Sequence, residues 1–392
     1  MRPFTTPVPH VPTPSRPDVR PTAVIYCEGN FSGVDGKTAN GLVRSSQRYR
    51  IVAVIDSTHA GADAGIILGA GHAGIPVVAS LTEAISEAGK SAVNIAGPIP
   101  RPQVLIFGLA PLSGLMSPAD RDAVLEAVTA GLDIVSGLHE FLNDDVEIAA
   151  AAAAADVTLH DVRRPHATKD LRMFDGAIDT VNCVRIAVLG TDGAIGKRTT
   201  ATLLTAALND AGIRTIMVGT GQTGLMQGAA YGVALDAIPA QFGVGELEGA
   251  VVAAWEGEHP DVIIIEGQGA LSHPAYLSST VVLRASRPQA VIMQHAPART
   301  MLSDYPDVPM PLAASEIALI EAFGKTRVIG LTINHENMTR AEVDAAAVLY
   351  EAELEIPVTD ALWGDPGELV AMVTSAFPTL LDSLYQPAGA SR

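Results

Sequence analysis

Residues 190–200 read GTDGAIGKRTT. Glycines, one lysine and clustered hydroxyls at this spacing suit one chemistry, the holding of a phosphate. Gly190, Gly193 and Gly196 let backbone N–H groups converge on one point, and Lys197 adds a mobile positive charge. The apolar run VRIAVLG (184–190) leads in and the helix-forming KRTTATLLTAALNDAG leads out. A strand, a glycine loop and a helix start in that order aim the helix dipole at the bound anion. The match to G-x-x-x-x-G-K-[ST] is incomplete. Gly190 falls one residue early, so Thr191 stands at the first glycine position. Arg198 stands where a metal-binding hydroxyl belongs, and Thr199 follows one residue later. One residue turns a helix by ~100°, so Thr199 is expected to point away from the metal position. Gly190, Thr191, Asp192, Gly193, Gly196, Lys197, Arg198, Thr199 and Thr200 are read as a phosphate site in which either the loop is re-registered or the metal is lost, and a metal-free site favours holding a phosphate over transferring one.

Other polar groups follow apolar runs in the same half of the chain. DVIIIEGQGALSHPAY (261–276) brings Glu266, Gln268 and His273 to a strand end. In an open parallel sheet this is the edge where ligands bind. Glu266 could bind Mg²⁺ or take a proton, and His273 could be a base or a hydrogen-bond donor. VIMQHAPART (291–300) ends in Gln294, His295 and Arg299, and the guanidinium fork of Arg299 suits a substrate carboxylate. GTGQTG (219–224) places Gln222 and Thr223 beside the phosphate loop, and these two are expected to contact the substrate together with His295 and Arg299. GLTINHENM (330–338) carries Asn334, a candidate for reading an adenine edge.

The elements that must position these groups alternate between strand and helix. Apolar runs at 23–29, 49–57, 75–80, 102–111 and 132–139 read as buried parallel strands. The helix after 102–111 starts at Ser117-Pro118 and ends at Gly131, both good cap signals. The alanine run within 147–163 reads as a helix followed by a short strand. RRPHATKDLRMF (163–174) is polar and marks a boundary. Further strands are expected at 184–190, 214–224 (with its loop), 261–271, 289–299, 326–336 and 356–362. The fold class expected is α/β, with two doubly wound parallel-sheet domains. Residues 1–20 are expected to be a disordered Pro-rich arm of polyproline character, 21–170 a Rossmann-like domain and 171–392 a phosphate-loop domain. In the first domain 28–41 lacks G-x-G-x-x-G, and Asp56 stands where a dinucleotide-binding domain keeps its ribose acid. The odd helix start around Lys37, Thr38 and Asn40 argues against nicotinamide, and a covering role with substrate contacts is expected instead.

Composition narrows the partners. Twenty-five basic against 43 acidic residues give a net charge of −18, which repels nucleic acid. No uninterrupted apolar run reaches ~18 residues, so no membrane span is expected. Cys27 and Cys183 are read as core residues in a reducing cytoplasm, with no metal cluster around them.

Taken together, GTDGAIGKRTT, IIIEGQGALSHPAY and IMQHAPAR resemble a family long catalogued as a domain of unknown function, typified by D-glutamate N-acetyltransferase. The resemblance spans 23–381. It implies a Rossmann-like N-terminal domain, a C-terminal phosphate-loop domain, and acetyl transfer from acetyl-CoA to the amine of a small acidic amino acid. The phosphate-loop half is also similar to dethiobiotin synthetase, which implies the alternative of an ATP- and Mg²⁺-dependent ligase or kinase acting on a small acid. On the first reading Lys197, backbone N–H groups and Arg198 hold a CoA phosphate, Glu266 or His273 takes the amine proton, a backbone N–H or Gln268 steadies the oxyanion and Arg299 binds a carboxylate. A homo-oligomer is expected by analogy.

Overall fold

The computed structural model describes residues 19–86, 101–111 and 113–382. Most of the Pro-rich arm, and the end of the helix expected after 75–80, lie outside the described residues. Two parallel sheets dominate. The first contains β1 (Thr22–Tyr26), β2 (Arg50–Ile55), β3 (Val77–Val78), β4 (Val104–Phe107), β5 (Asp133–Ser136) and β6 (Leu159–Asp161) in the order β3-β2-β1-β4-β5-β6. That order is the Rossmann arrangement, with its reversal between β1 and β4. The second contains β7 (Val184–Gly190), β8 (Thr215–Gly219), β9 (Tyr231–Gly232), β10 (Val262–Glu266), β11 (Ala290–His295), β12 (Arg327–Ile333) and β13 (Val358–Asp360). Its order is β13-β12-β11-β7-β10-β8-β9, so β7 is central.

The central strands are unbroken apolar runs because helices cover both faces. Ile263 and Ile265 of β10 pack on one side, Val262 and Ile264 on the other, in two separate clusters. The expected helix caps are present: Ser117 and Asp120 form a capping box, and Gly131 has φ 76°. The alanine run is the helix Val146–Ala155. Two elements lacked a recognised signal, the 19-residue helix Ala240–Glu258 and the short β9. The segment after β8, read as loop, becomes the helix Gln222–Gln227. Among the described residues no helix is long and apolar enough to cross a membrane.

The helix Gln222–Gln227 carries much of the domain contact. Met226 belongs to the hydrophobic core of the first domain. Thr223 and Thr38 share a hydroxyl hydrogen bond of 2.7 Å, and Gln227 donates to Gly41 O and Ser45 O at 2.8 Å each. Arg163 joins in, pairing with Asp236 at 2.7 Å and donating to Gly137 O. Thr38 opens the helix after β1, and Gly137 follows β5. The C-terminal edge of the first sheet therefore faces the C-terminal edge of the second, where the phosphate loop lies.

Candidate functional site

β7 delivers Gly190 to the sheet edge. A side chain there would put its Cβ 2.7 Å from Gln294 O, so only glycine lets the neighbouring strands stay paired. Thr191 N donates to the same carbonyl at 3.1 Å. Ala194 (φ 49°) and Gly196 (φ 104°) then turn the loop through the left-handed region. Gly196 caps the helix Lys197–Asp210 without any side-chain acceptor, which leaves the first N–H groups directed at the loop. Lys197 is 5 % exposed and donates through Nζ to Asp192 O. Burial pushes its ammonium down to about 8, against the opposing pull of Asp192 and Glu266.

The loop is braced from three sides. Asp192 is fully buried and accepts from Gly193 N (2.6 Å), Arg299 Nη1 (2.7 Å) and Ser303 N (2.8 Å). Arg299 also makes a two-pronged pair with Glu336, at 2.8 and 2.7 Å. All three guanidinium nitrogens are thus spent on the protein, so the expected substrate clamp is instead the tie between Asp192 and Glu336. His295 lies buried between Thr191 Oγ1 and Tyr350 Oη, 2.9 Å from each, and burial lowers it to about 4. It is a neutral strut of the loop, away from the expected substrate contact. Asn334, expected at an adenine edge, donates to Ile195 O at 3.0 Å and accepts from Glu336 N at 2.9 Å. Thr200 and Thr332 both donate to Gln294 Oε1 at 2.5 Å, tying the helix to β11 and β12.

β10 brings Glu266 beside this loop. It is buried, accepts from Thr220 N at 2.9 Å, and burial raises its pKa although the charges of Arg198 and Lys197 oppose the shift. Arg198 differs from its expectation as a plain phosphate contact. Its Nη2 lies 2.7 Å from where a Cβ of Gly41 would sit, so the guanidinium reaches toward the first domain while keeping its charge beside Glu266. Thr199 is half-buried on the same helix. Gln268 donates to Thr220 O and accepts from Ser279 Oγ at its own carbonyl, 2.9 Å. Gln222 and Thr223 were expected near the phosphate loop. Thr223 is bonded to Thr38, and the stem of Gln222 lies 2.8 Å from where a Cβ of Gly137 would sit, so both belong to the domain contact. Asp56 is buried, accepts from Gly29 N, Phe31 N and Thr58 N, each within 3.1 Å, accepts from Thr58 Oγ1 at 2.6 Å and pairs with His59 Nδ1 at 2.9 Å. It holds the turn after β1 and has no lone pair left over for a ribose.

The segment between Met301 and Pro309, which pair as an antiparallel bridge, was not singled out in the sequence. It folds over the loop. Ser303 Oγ and Asp304 Oδ2 lie 3.5 and 3.8 Å from where a Cβ of Gly193 would sit. Tyr276 Oη donates to Asp304 Oδ2 at 2.5 Å, and His273 stacks on Tyr276 with ring centres 4.2 Å apart. Glu316 was also missed. It accepts from Ser272 N (3.1 Å) and Ser272 Oγ (2.6 Å), and fixes the turn that presents His273. Aspartate, tyrosine and proline in DYPDVP read as an ordinary turn, and no local signal tells which loop it covers.

The assembled site is a phosphate-sized cradle at a helix start, with a buried lysine, a buried carboxylate flanked by two cations, and a histidine under an aromatic pair. Comparison with known proteins agrees with this architecture. Residues 57–165 match the profile described as a domain of unknown function (DUF1611_N) Rossmann-like domain, and 172–370 match the profile of the DUF1611_C P-loop domain. The chain is similar to a protein of Tritonibacter scottomollicae named D-glutamate N-acetyltransferase, 32 % identical over 274 residues, covering 68 % of this chain and 80 % of that one. A Pseudoalteromonas protein of the same name is 28 % identical over 275 residues, covering 69 % and 80 %. The crystal structure of a DUF1611 family protein from Anabaena variabilis superposes with a TM-score of 0.81 at 30 % identity, covering 91 % of this chain and all of that one. With both domains matched in order, the chain belongs to the DUF1611 family.

Proposed function

We propose that the protein transfers an acetyl group from acetyl-CoA to the amine of a small acidic amino acid, with D-glutamate the first substrate to test. The observation that carries this reading is Arg198, which follows Lys197 where the phosphate-loop pattern has a metal-binding hydroxyl and whose charge acts on the buried Glu266. A loop so charged is suited to holding a phosphate without breaking it off. The names of the two similar bacterial proteins point to the same reaction.

Lys197 and the N–H groups at the helix start would hold a phosphate of CoA. Glu266, whose affinity for a proton is raised by burial, would take the proton of the substrate ammonium. The free amine attacks the thioester carbonyl carbon, and the carbonyl electron pair moves onto oxygen. When it returns, the C–S bond breaks and the nitrogen gives up its second proton, which the departing sulfur takes up, so that the amide and the CoA thiol form while the first proton passes from Glu266 to solvent. Neither cysteine contributes a covalent intermediate in this scheme, since Cys27 and Cys183 are buried in other parts of the fold.

The alternative of an ATP-dependent ligase draws on the strand-end carboxylate Glu266 above a phosphate loop. Ligand-dependent thermal stability separates the two. Acetyl-CoA is expected to raise the melting temperature with no added metal, and incubation with D-glutamate is expected to give N-acetyl-D-glutamate. Stabilisation by Mg-ATP alone, with no acetylated product, would sink the acyl-transfer reading.

A further inference from the structure

His273 was left open above as base or donor, and its surroundings decide between them. The residue is only 6 % exposed. Its Nδ1 accepts from Ala275 N at 3.2 Å, while among the described residues no group pairs with the buried Nε2. A backbone N–H has no other role to play than donor, so the lone pair on Nδ1 is occupied and a neutral ring carries its proton on Nε2. That N–H is the orphan. Burying an unpaired donor is costly, and such groups in native proteins call for an explanation.

The ring is held rigidly. It stacks on Tyr276 at 15° and meets Tyr305 edge-on with centres 5.6 Å apart. Charged groups face it from several elements: Asp192 and Lys197 of the phosphate loop, Asp304 of the 301–309 segment, and Glu316 of the helix Ala313–Gly324. Burial outweighs the carboxylates and disfavours the charged ring. Tyr276 is bonded to Asp304, and Asp304 lies over Gly193, so the histidine belongs to the same chamber as the phosphate loop.

We propose that His273 serves as a neutral Nε2–H donor to an oxygen of the bound ligand and accepts no proton in the reaction. The inference rests on the acyl-transfer reading for its kinetics but not for its chemistry. Three oxygens share the required acceptor character: the thioester oxygen as it becomes an oxyanion, a CoA phosphate oxygen, and a carboxylate oxygen of the amino acid.

Steady-state rates of the wild type, His273→Gln and His273→Ala across pH 6–9 test it. Glutamine offers an N–H at a similar reach but cannot serve as a base. His273→Gln is expected to stay within roughly tenfold of the wild type with an unchanged pH profile, while His273→Ala loses on the order of a hundredfold. A loss confined to kcat identifies the acyl oxygen, a raised Kd for acetyl-CoA the phosphate, and a raised KM for the amino acid the carboxylate. All three support the donor role. Equal inactivity of both variants, with loss of the acidic limb of the wild-type profile, overturns it. A second measurement needs neither turnover nor a folded alanine variant. In ¹⁵N-histidine-labelled protein at pH 7.5, the ring signals missing from His273→Gln should show a neutral ring protonated on Nε2. An imidazolium, or a proton on Nδ1, refutes the assignment. If the wild type makes no acetylated product, the acyl-transfer reading falls, and the nitrogen shifts still decide the state of His273.

Discussion

Lys197 makes a prediction in which affinity and stability move in opposite directions. Its ammonium, buried against Asp192 O, ionises at about 8 where a free lysine has 10.5. If a CoA phosphate needs the charged form, the apparent Kd rises by the factor 1 + 10^(pH − 8). That is about 1.1-fold at pH 7 and roughly 11-fold at pH 9. The phosphates themselves are largely ionised from about pH 7 and fully so by about pH 8, a phosphomonoester having its second pKa near 6. Stability without ligand runs the other way. The folded state binds fewer protons than the unfolded one between about 8 and 10.5, so stability rises with pH through that window. The whole interval corresponds to roughly 3 kcal/mol at 1.36 kcal/mol per pH unit. The assay is calorimetric titration of acetyl-CoA from pH 7 to 9.5 at constant ionic strength, beside denaturant melts of the free protein. Lys197→Arg, which does not titrate in this range, should bind with no such slope. A flat affinity for the wild type, or an equal slope in Lys197→Met, would refute the reasoning by removing this ammonium from the phosphate site.

Other positions carry equally direct expectations. His295, lowered by burial to about 4, cannot take a proton in the fold until pH falls well below 6.5; stability is therefore lost on acidification from about 6.5 to 4, by up to roughly 3 kcal/mol, and His295→Gln should flatten that limb of the acid melt. Arg299→Met leaves Asp192 buried without its cation and should cost about 3–5 kcal/mol, read as a fall in the unfolding midpoint. Gly267→Ala places a Cβ 2.2 Å from Val188 O, a backbone atom that cannot swing aside, so overpacking of about 1–3 kcal/mol or more is expected in the same melt. Gly41→Val pushes against Arg198 and Thr223 across the domain contact; acetyl-CoA affinity should drop by several-fold with little loss of helix content by circular dichroism, and an unchanged affinity would show that Arg198 tolerates displacement.

Parallel strands buried on both faces are apolar from end to end, and that is why β7, β10, β11 and β12 were legible as runs that stop at a polar residue. The same stops located Glu266, Gln294, His295 and the phosphate loop, because ligand edges and strand ends coincide in this fold class. Which of those groups would be free was not legible. Arg299 meets Asp192 across 107 positions of chain, and Thr38 meets Thr223 across 185. Local pattern has no access to such pairs. Hence the clamp expected of Arg299, the substrate contacts expected of Gln222 and Thr223 and the adenine contact expected of Asn334 gave way to internal bracing.

By itself, then, the amino-acid order determined two α/β domains, the place of the loop and the residue types around it, since periodicity, glycine spacing and caps act over a few positions. Only the tertiary structure decided which polar groups are spent on one another and which are left over. A hydrogen-bonding group has a fixed number of partners, and the count closes only when distant segments meet. That count spends Arg299 on Asp192 and Glu336, and among the described residues it leaves Nε of Arg198 and the Nε2–H of His273 unpaired.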